Sequence, residues 1–255
     1  MDQTDRTIAL VTGGSRGLGR GMAEHLARAG ADVIVTWRAR QDEAEAVVRG
    51  IEASGRRAAA LQLDAGDVAS FDAFAERLAS TLDRVWTRKS FDVLINNAGT
   101  SLHNSIAETT EHEFDEVMRV HLKGPYFLTQ RLLPMLADGA RILNISSGLA
   151  RASLPGSSAY AMMKGGVEVF TRYLAVELAA RGITANTLAP GAIETDFSGG
   201  MVRDNPQVNR MVSEMTALGR PGRVSDIGPI AASLVSADNR WMTGQRIEAS
   251  GGMRL

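Results

Sequence analysis

The chain has 255 residues, 44% hydrophobic and 22% charged, with 28 Lys and Arg against 29 Asp and Glu for a formal net charge of −1. A near-neutral balance without a Lys/Arg cluster points away from a nucleic-acid backbone or an anionic membrane surface. The absence of cysteine excludes disulfides, thiolate zinc sites and cysteine nucleophiles, and suits a reducing cytosol.

The start, MDQTDRTIALVTGG, puts acidic residues before a short apolar run, whereas a secretory signal wants a basic start and a longer apolar core. No apolar run approaches the ~20 residues of a bilayer span. The expectation is a cytoplasmic protein with no membrane or nucleic-acid partner.

Seven short β-like runs follow in chain order: Thr7–Gly13, Asp32–Trp37, Ala58–Asp64, Phe91–Asn96, Ala140–Ser146, Ile183–Ala189 and Gln245–Ser250. Most are apolar throughout, as strands covered on both faces are. Between them lie stretches with helical spacing, such as Met22, Leu26 and Ala29, or Phe114, Val117, Met118 and Leu122. Strand–helix alternation with long connections predicts a parallel sheet with right-handed crossovers. The fold class is α/β: one domain over residues 1–255, doubly wound, with about seven strands and helices on both faces. Two connections are long, the loop after Gly99 and the segment Gly191–Gly222. Both follow strands whose carboxyl ends would line a ligand crevice.

The first strand runs into TGGSRGLGR, with Gly13, Ser15, Arg16, Gly17, Leu18 and Gly19 ahead of a helix. Glycines let a backbone approach a pyrophosphate, and the helix would aim free N–H groups and its positive dipole end at the same place. The spacing is T-G-x-x-x-G-x-G rather than G-x-G-x-x-G. With Asn96–Gly99 (NNAG), a serine ahead of Tyr160 and Lys164, Pro190-Gly191 followed by Thr195, and the terminal GQRIEASGG, the chain resembles the short-chain dehydrogenase/reductases over nearly its whole length.

The resemblance implies a Rossmann-type fold and nicotinamide chemistry. It places Asp64 at the adenine, Asn97, Ala98 and Gly99 along the cofactor, and Pro190, Gly191, Ile193 and Thr195 at the nicotinamide, with Asn96 mainly structural. The end of the second strand discriminates between cofactors. Similar NAD enzymes carry an acid where this chain has Trp37; Arg38 follows, and Arg16 lies in the glycine loop. A missing carboxylate and two guanidiniums favour a 2′-phosphate, hence NADP(H) over NAD(H). The competing reading makes Arg38 and Arg40 solvated residues at a helix start.

Tyr160 and Lys164 are four apart, so a helix puts them on one face. A free tyrosine has a pKa of ~10 and is a poor acid–base group at neutral pH; an adjacent ammonium is expected to lower that value. The resemblance makes Tyr160 the proton donor, Lys164 its tuner and a ribose ligand, and Ser147 the hydroxyl that holds the substrate oxygen. Ser146 is the alternative, turned to the other face by strand alternation. Where the family usually has a helix asparagine in a proton relay, this chain has His121. It either replaces that asparagine in the relay or is a packed helix histidine.

The substrate is a carbonyl compound or alcohol. Leu102, His103, Leu149, Arg151, Phe197, Met201 and Met211 are wall candidates, with Arg151 or Arg203 for an anionic group. Similar acyl-carrier reductases tend to present an arginine where this chain has Phe127. Relatives are typically tetramers built through two long helices, here expected over 111–137 and 157–181, so the resemblance implies a homo-oligomer, tetramer or dimer. A protein that binds NADP as a sensor without turnover is the alternative to an enzyme. Nothing suggests a metal.

Overall fold

A computed structural model of the chain describes residues 6–255. In chain order the elements are β1 (Ile8–Val11), α1 (Gly17–Arg28), β2 (Asp32–Trp37), α2 (Gln41–Ala53), β3 (Ala58–Gln62), α3 (Phe71–Trp86) and β4 (Phe91–Asn96). Then come α4 (Glu111–Met118), α5 (Gly124–Leu132), β5 (Leu136–Ile145), α6 (Ser158–Glu177), β6 (Thr184–Pro190), α7 (Met201–Asp204), α8 (Pro206–Glu214), α9 (Val224–Leu234) and β7 (Arg246–Ala249). The strands form one parallel sheet in the order β3-β2-β1-β4-β5-β6-β7. Order reverses between β1 and β4, which opens a crevice at their carboxyl ends.

Successive side chains of a strand point to opposite faces. Ile8, Leu10, Ile34, Leu94 and Ile142 therefore enter one core, against Phe74, Leu78, Leu128 and Leu174 of α3, α5 and α6. Ala9, Val11, Val33, Val35, Val93 and Ile95 enter the other, against Met22, Val47, Ile51, Ile227 and Ala231 of α1, α2 and α9. Both sets are apolar because both faces are covered. Among the described residues, no helix is long and apolar enough to cross a membrane.

All seven expected strands are present, and the two long helices need correction. The expected helix over 111–137 is two helices joined by a π-helical turn at Arg119–Lys123. Pro125 has no N–H to give the carbonyl one turn back, so the regular ladder breaks there and the wider turn absorbs the break. The helical run also ends by Met135, because Leu136 pairs with Phe91 and starts β5 four residues before the expected Ala140. The second long helix stops at Glu177, with Ala179–Arg181 forming a separate 3₁₀ turn. β3 ends at Gln62, so Asp64 lies two residues beyond it.

Candidate active site

The glycine loop is stitched across strand ends. Gly13 N donates to Thr36 Oγ1 at 3.0 Å and Gly14 N to Thr36 O at 2.9 Å, which draws the loop to the end of β2 just before Trp37 and Arg38. Thr12 Oγ1 accepts from Asn97 N at 2.9 Å and Ala98 N at 3.0 Å, while Asn97 Nδ2 donates to Thr12 O at 2.8 Å. Thr12 and Thr36 thus join β1 to β4 and β2, a role sequence reading missed for both. Asn97 spends its side chain on this seam.

The surroundings fit a dinucleotide. Gly13 holds a left-handed φ of 61°, and a Cβ there would lie 3.0 Å from Ala98 Cα. A Cβ at Gly19 would overlap the Gly13 carbonyl, so α1 can pack this close only with glycine. Gly17 faces Thr195 across a gap, its added Cβ coming no nearer than 3.8 Å. The first turn of α1 carries no acidic residue and no side-chain cap, which leaves its N–H groups and dipole to an anion. Arg16 and Arg38 are exposed, and neither guanidinium has a protein partner among the described residues. Asp64 Oδ1 accepts from Gly66 N at 2.9 Å, a turn-forming contact.

The catalytic candidates meet at the carboxyl ends of β4, β5 and β6. A buried polar chain aligns the elements that carry them. Asn96 Nδ2 donates to Asn144 Oδ1 at 2.8 Å, Asn144 Nδ2 to Thr171 Oγ1 at 2.9 Å, and Thr187 Oγ1 to Thr171 Oγ1 at 2.9 Å. This ties α6 to the three central strands. Tyr160 and Lys164 lie on the first turns of α6, with the Lys164 ammonium 5.6 Å from the centre of the tyrosine ring. Ser147 neighbours the phenol and pulls its pKa downward. Ser147 Oγ accepts from Leu149 N at 3.2 Å. Ser146 turns the other way, as alternation requires, and donates to Glu168 Oε1 at 2.7 Å.

The electrostatics differ from expectation. Burial pushes the Tyr160 phenol up to about 12, against the downward pull of Ser147. Burial also pulls Lys164 down to about 7. Its Nζ donates to the Ile145 carbonyl at 2.7 Å. Desolvation of both groups therefore outweighs the attraction expected of a fully charged lysine.

His121 sits in the π-helical turn, 2% exposed and edge-on to Tyr160, ring centres 5.1 Å apart. Its Nε2 faces the Thr100 backbone, 2.6 Å from the carbonyl oxygen and 3.0 Å from the amide nitrogen. Nδ1 is a buried ring nitrogen with no partner among the described residues. Burial, with the nearby Lys164 charge, holds the ring well below the ordinary histidine range and neutral. Gly99 makes room for it, since a Cβ there would come within 2.7 Å of His121 Cε1.

At the far end of the crevice, Pro190 ends β6, and Gly191 passes so close to Ser250 that a Cβ would lie 2.9 Å from Ser250 Cα. Ile193 pairs with Gly222, and Thr195 is buried with Oγ1 accepting from Phe197 N at 3.2 Å. Phe197 is exposed, its ring centre 6.2 Å from that of Tyr160. Met201 and Met211 are also exposed. Arg203 is removed from the anion-binding candidates: its guanidinium is paired with Asp196 at 2.6 Å and Asp204 at 2.7 Å. His103 packs on Gly156, joining the loops after β4 and β5, and Phe127 is half-buried against the core.

A dinucleotide-type crevice beside a tyrosine–lysine–serine cluster defines the class: an oxidoreductase built on the Rossmann plan. Residues 13–254 match the family described as enoyl-(acyl carrier protein) reductase. The 3-oxoacyl-[acyl-carrier-protein] reductase of Staphylococcus aureus is 36% identical over 97% of this chain and 98% of its own. A promiscuous reductase, LugOII, that catalyses keto-reduction during lugdunomycin biosynthesis superposes with a TM-score of 0.93 at 35% identity, covering 100% of both chains. The angucycline C-6 ketoreductase LanV with bound NADP gives 0.92 at 37%, covering 97% of this chain and 95% of its own. The chain belongs to the short-chain dehydrogenase/reductases.

Proposed function

We propose that the protein is an NADP(H)-dependent ketone reductase of broad, apolar preference. The observation that carries this reading is the Ser147–Tyr160–Lys164 cluster in a chain whose glycine loop and β2 end carry two exposed guanidiniums, Arg16 and Arg38, without protein partners among the described residues. NADPH held in the cradle would supply the hydride. Arg16 and Arg38 would grip its 2′-phosphate, the loop Gly13–Gly19 its pyrophosphate, Asp64 its adenine, and Asn97–Gly99 and Pro190–Thr195 its nicotinamide half. Ser147 holds the carbonyl oxygen of the substrate by hydrogen bond. Tyr160 donates its phenolic proton to that oxygen as the carbon is reduced, so that C=O becomes CH–OH. The protonated form of Lys164 stabilises the phenolate left behind.

His121 enters the proton path through Nδ1. With His121→Asn the pH dependence of ketone reduction is expected to shift, because the smaller amide changes the buried surroundings in which Tyr160 and Lys164 titrate. An unchanged pH–rate profile removes His121 from the path and leaves it a packing residue.

Phe197, Met201 and Met211 give the mouth an apolar wall. LanV, named as an angucycline C-6 ketoreductase, and LugOII, named as a promiscuous reductase that catalyses keto-reduction, support a polycyclic ketone of the angucycline kind as substrate. Kinship to the acyl-carrier reductase supports a 3-oxoacyl thioester as the second reading. NADPH oxidation against a panel of polycyclic ketones, cyclohexanones and acetoacetyl thioesters tests both. Turnover led by the polycyclic ketones is expected. Tight NADPH binding without turnover on any member overturns the enzyme reading in favour of a sensor, which the complete Ser–Tyr–Lys set argues against.

We also place the protein in the cytoplasm as a homo-oligomer. Met162, Val169, Tyr173 and Val176 are exposed along one face of α6, and Tyr126 on α5 is exposed too. Their spacing is helical and lies opposite the core face of Met163, Val167 and Leu174, which suits a second copy.

A further inference from the structure

Behind Ser147 lies a charged cluster that the reaction as described does not use. Arg246, on the edge strand β7, has a side chain only 8% exposed. Each of its three guanidinium nitrogens meets a different acceptor. Nε donates to Glu168 Oε1 at 2.6 Å, Nη1 to Glu248 Oε2 at 2.7 Å, and Nη2 to the backbone carbonyl of Ser147 at 3.3 Å. Glu168, 14% exposed, lies one turn beyond Lys164 on α6 and also accepts the Ser146 hydroxyl at 2.7 Å. The two serines that end β5 are thus held from behind by one ion cluster, Ser146 through Glu168 and Ser147 through Arg246.

We propose that Arg246, clamped between Glu168 and Glu248, is a positioning residue for Ser147, fixing the backbone from which its hydroxyl reaches the substrate oxygen. Stability alone is a poor reason for such a cluster. An ion pair as buried as Arg246–Glu168 often gains no more than an apolar replacement would, since desolvation consumes the attraction. What the cluster adds is direction. A planar fork fixes three acceptors in one plane, which a lysine cannot do. A hydroxyl that must meet an oxygen within hydrogen-bond reach is sensitive to small displacements of its own backbone.

This proposal rests on the reading of Ser147 as the substrate-oxygen donor, and the test separates the two. Ketone reduction is measured for wild type, Arg246→Gln, Ser147→Ala and the double variant, with NADPH affinity followed by nucleotide fluorescence. Arg246→Gln is expected to lower kcat/KM for the ketone by about 10- to 100-fold, the range for removing groups that orient a working ligand, with NADPH affinity unchanged. In the Ser147→Ala background the same substitution is expected to cost nothing further, because its effect runs through the missing hydroxyl. Arg246→Lys keeps the charge and loses the fork, and serves if the glutamine variant fails to fold; a several-fold loss that vanishes without Ser147 is expected. Equal losses in both backgrounds, or wild-type kinetics in either variant, overturn the positioning role. Full activity of Ser147→Ala overturns instead the reading on which it stands.

Discussion

Tyr160→Phe is expected to lower ketone reduction by about 10²- to 10⁴-fold, the range for removing a positioned general acid, while NADPH still binds and the fold holds. The change deletes one oxygen on α6 and keeps the ring that packs edge-on against His121. NADPH oxidation with the best ketone, beside a fluorescence titration, measures both halves. Activity within a few-fold of wild type would exclude the phenol as donor. The same group predicts an asymmetry with pH. A phenol raised to about 12 stays protonated through the neutral range, so reduction does not lose its donor there. Alcohol oxidation needs the phenolate, whose fraction grows about tenfold per pH unit below its pKa. Oxidation should therefore climb steeply with pH while reduction does not. A plateau in oxidation below pH 7 would show that the phenol is not raised in the working complex.

Arg38→Asp is expected to weaken NADPH binding by about two orders of magnitude and to leave NADH binding unchanged or improved. Hydrogen bonds to a charged group contribute about 1.5–3 kcal/mol each. The introduced carboxylate would repel the 2′-phosphate and accept from a 2′-hydroxyl. The wild-type preference for NADPH should also shrink as salt is added, because both guanidiniums are exposed and screened. Binding of the two nucleotides measured side by side decides it. If both affinities fall together, Arg38 acts through the local fold, and the 2′-phosphate assignment fails.

Much of the architecture was legible because both faces of the sheet are covered. Strands such as Phe91–Asn96 then read as apolar runs with sharp ends. The helix expected over 111–137 shows where that logic stops. Leu133–Met135 still continues the helical run as a 3₁₀ turn, and only the pairing of Leu136 with Phe91, over forty residues away, ends it and starts β5. Glu168 could have been noticed as a carboxylate one turn beyond Lys164, on the same helix face. Its partner Arg246 comes from the far edge of the sheet and has no local signal.

By itself the sequence determined the order of strands and helices, the glycine turn and the four-residue spacing that puts Tyr160 and Lys164 together, since all of these are local periodicities and backbone freedoms. Only the tertiary structure decided the charge states of the site: burial raised the phenol and lowered the lysine. It alone turned Ser146 toward Glu168 and left Nδ1 of His121 without a partner. Those outcomes depend on how much water each group loses and which distant chains surround it, and neither quantity is written in the neighbouring residues.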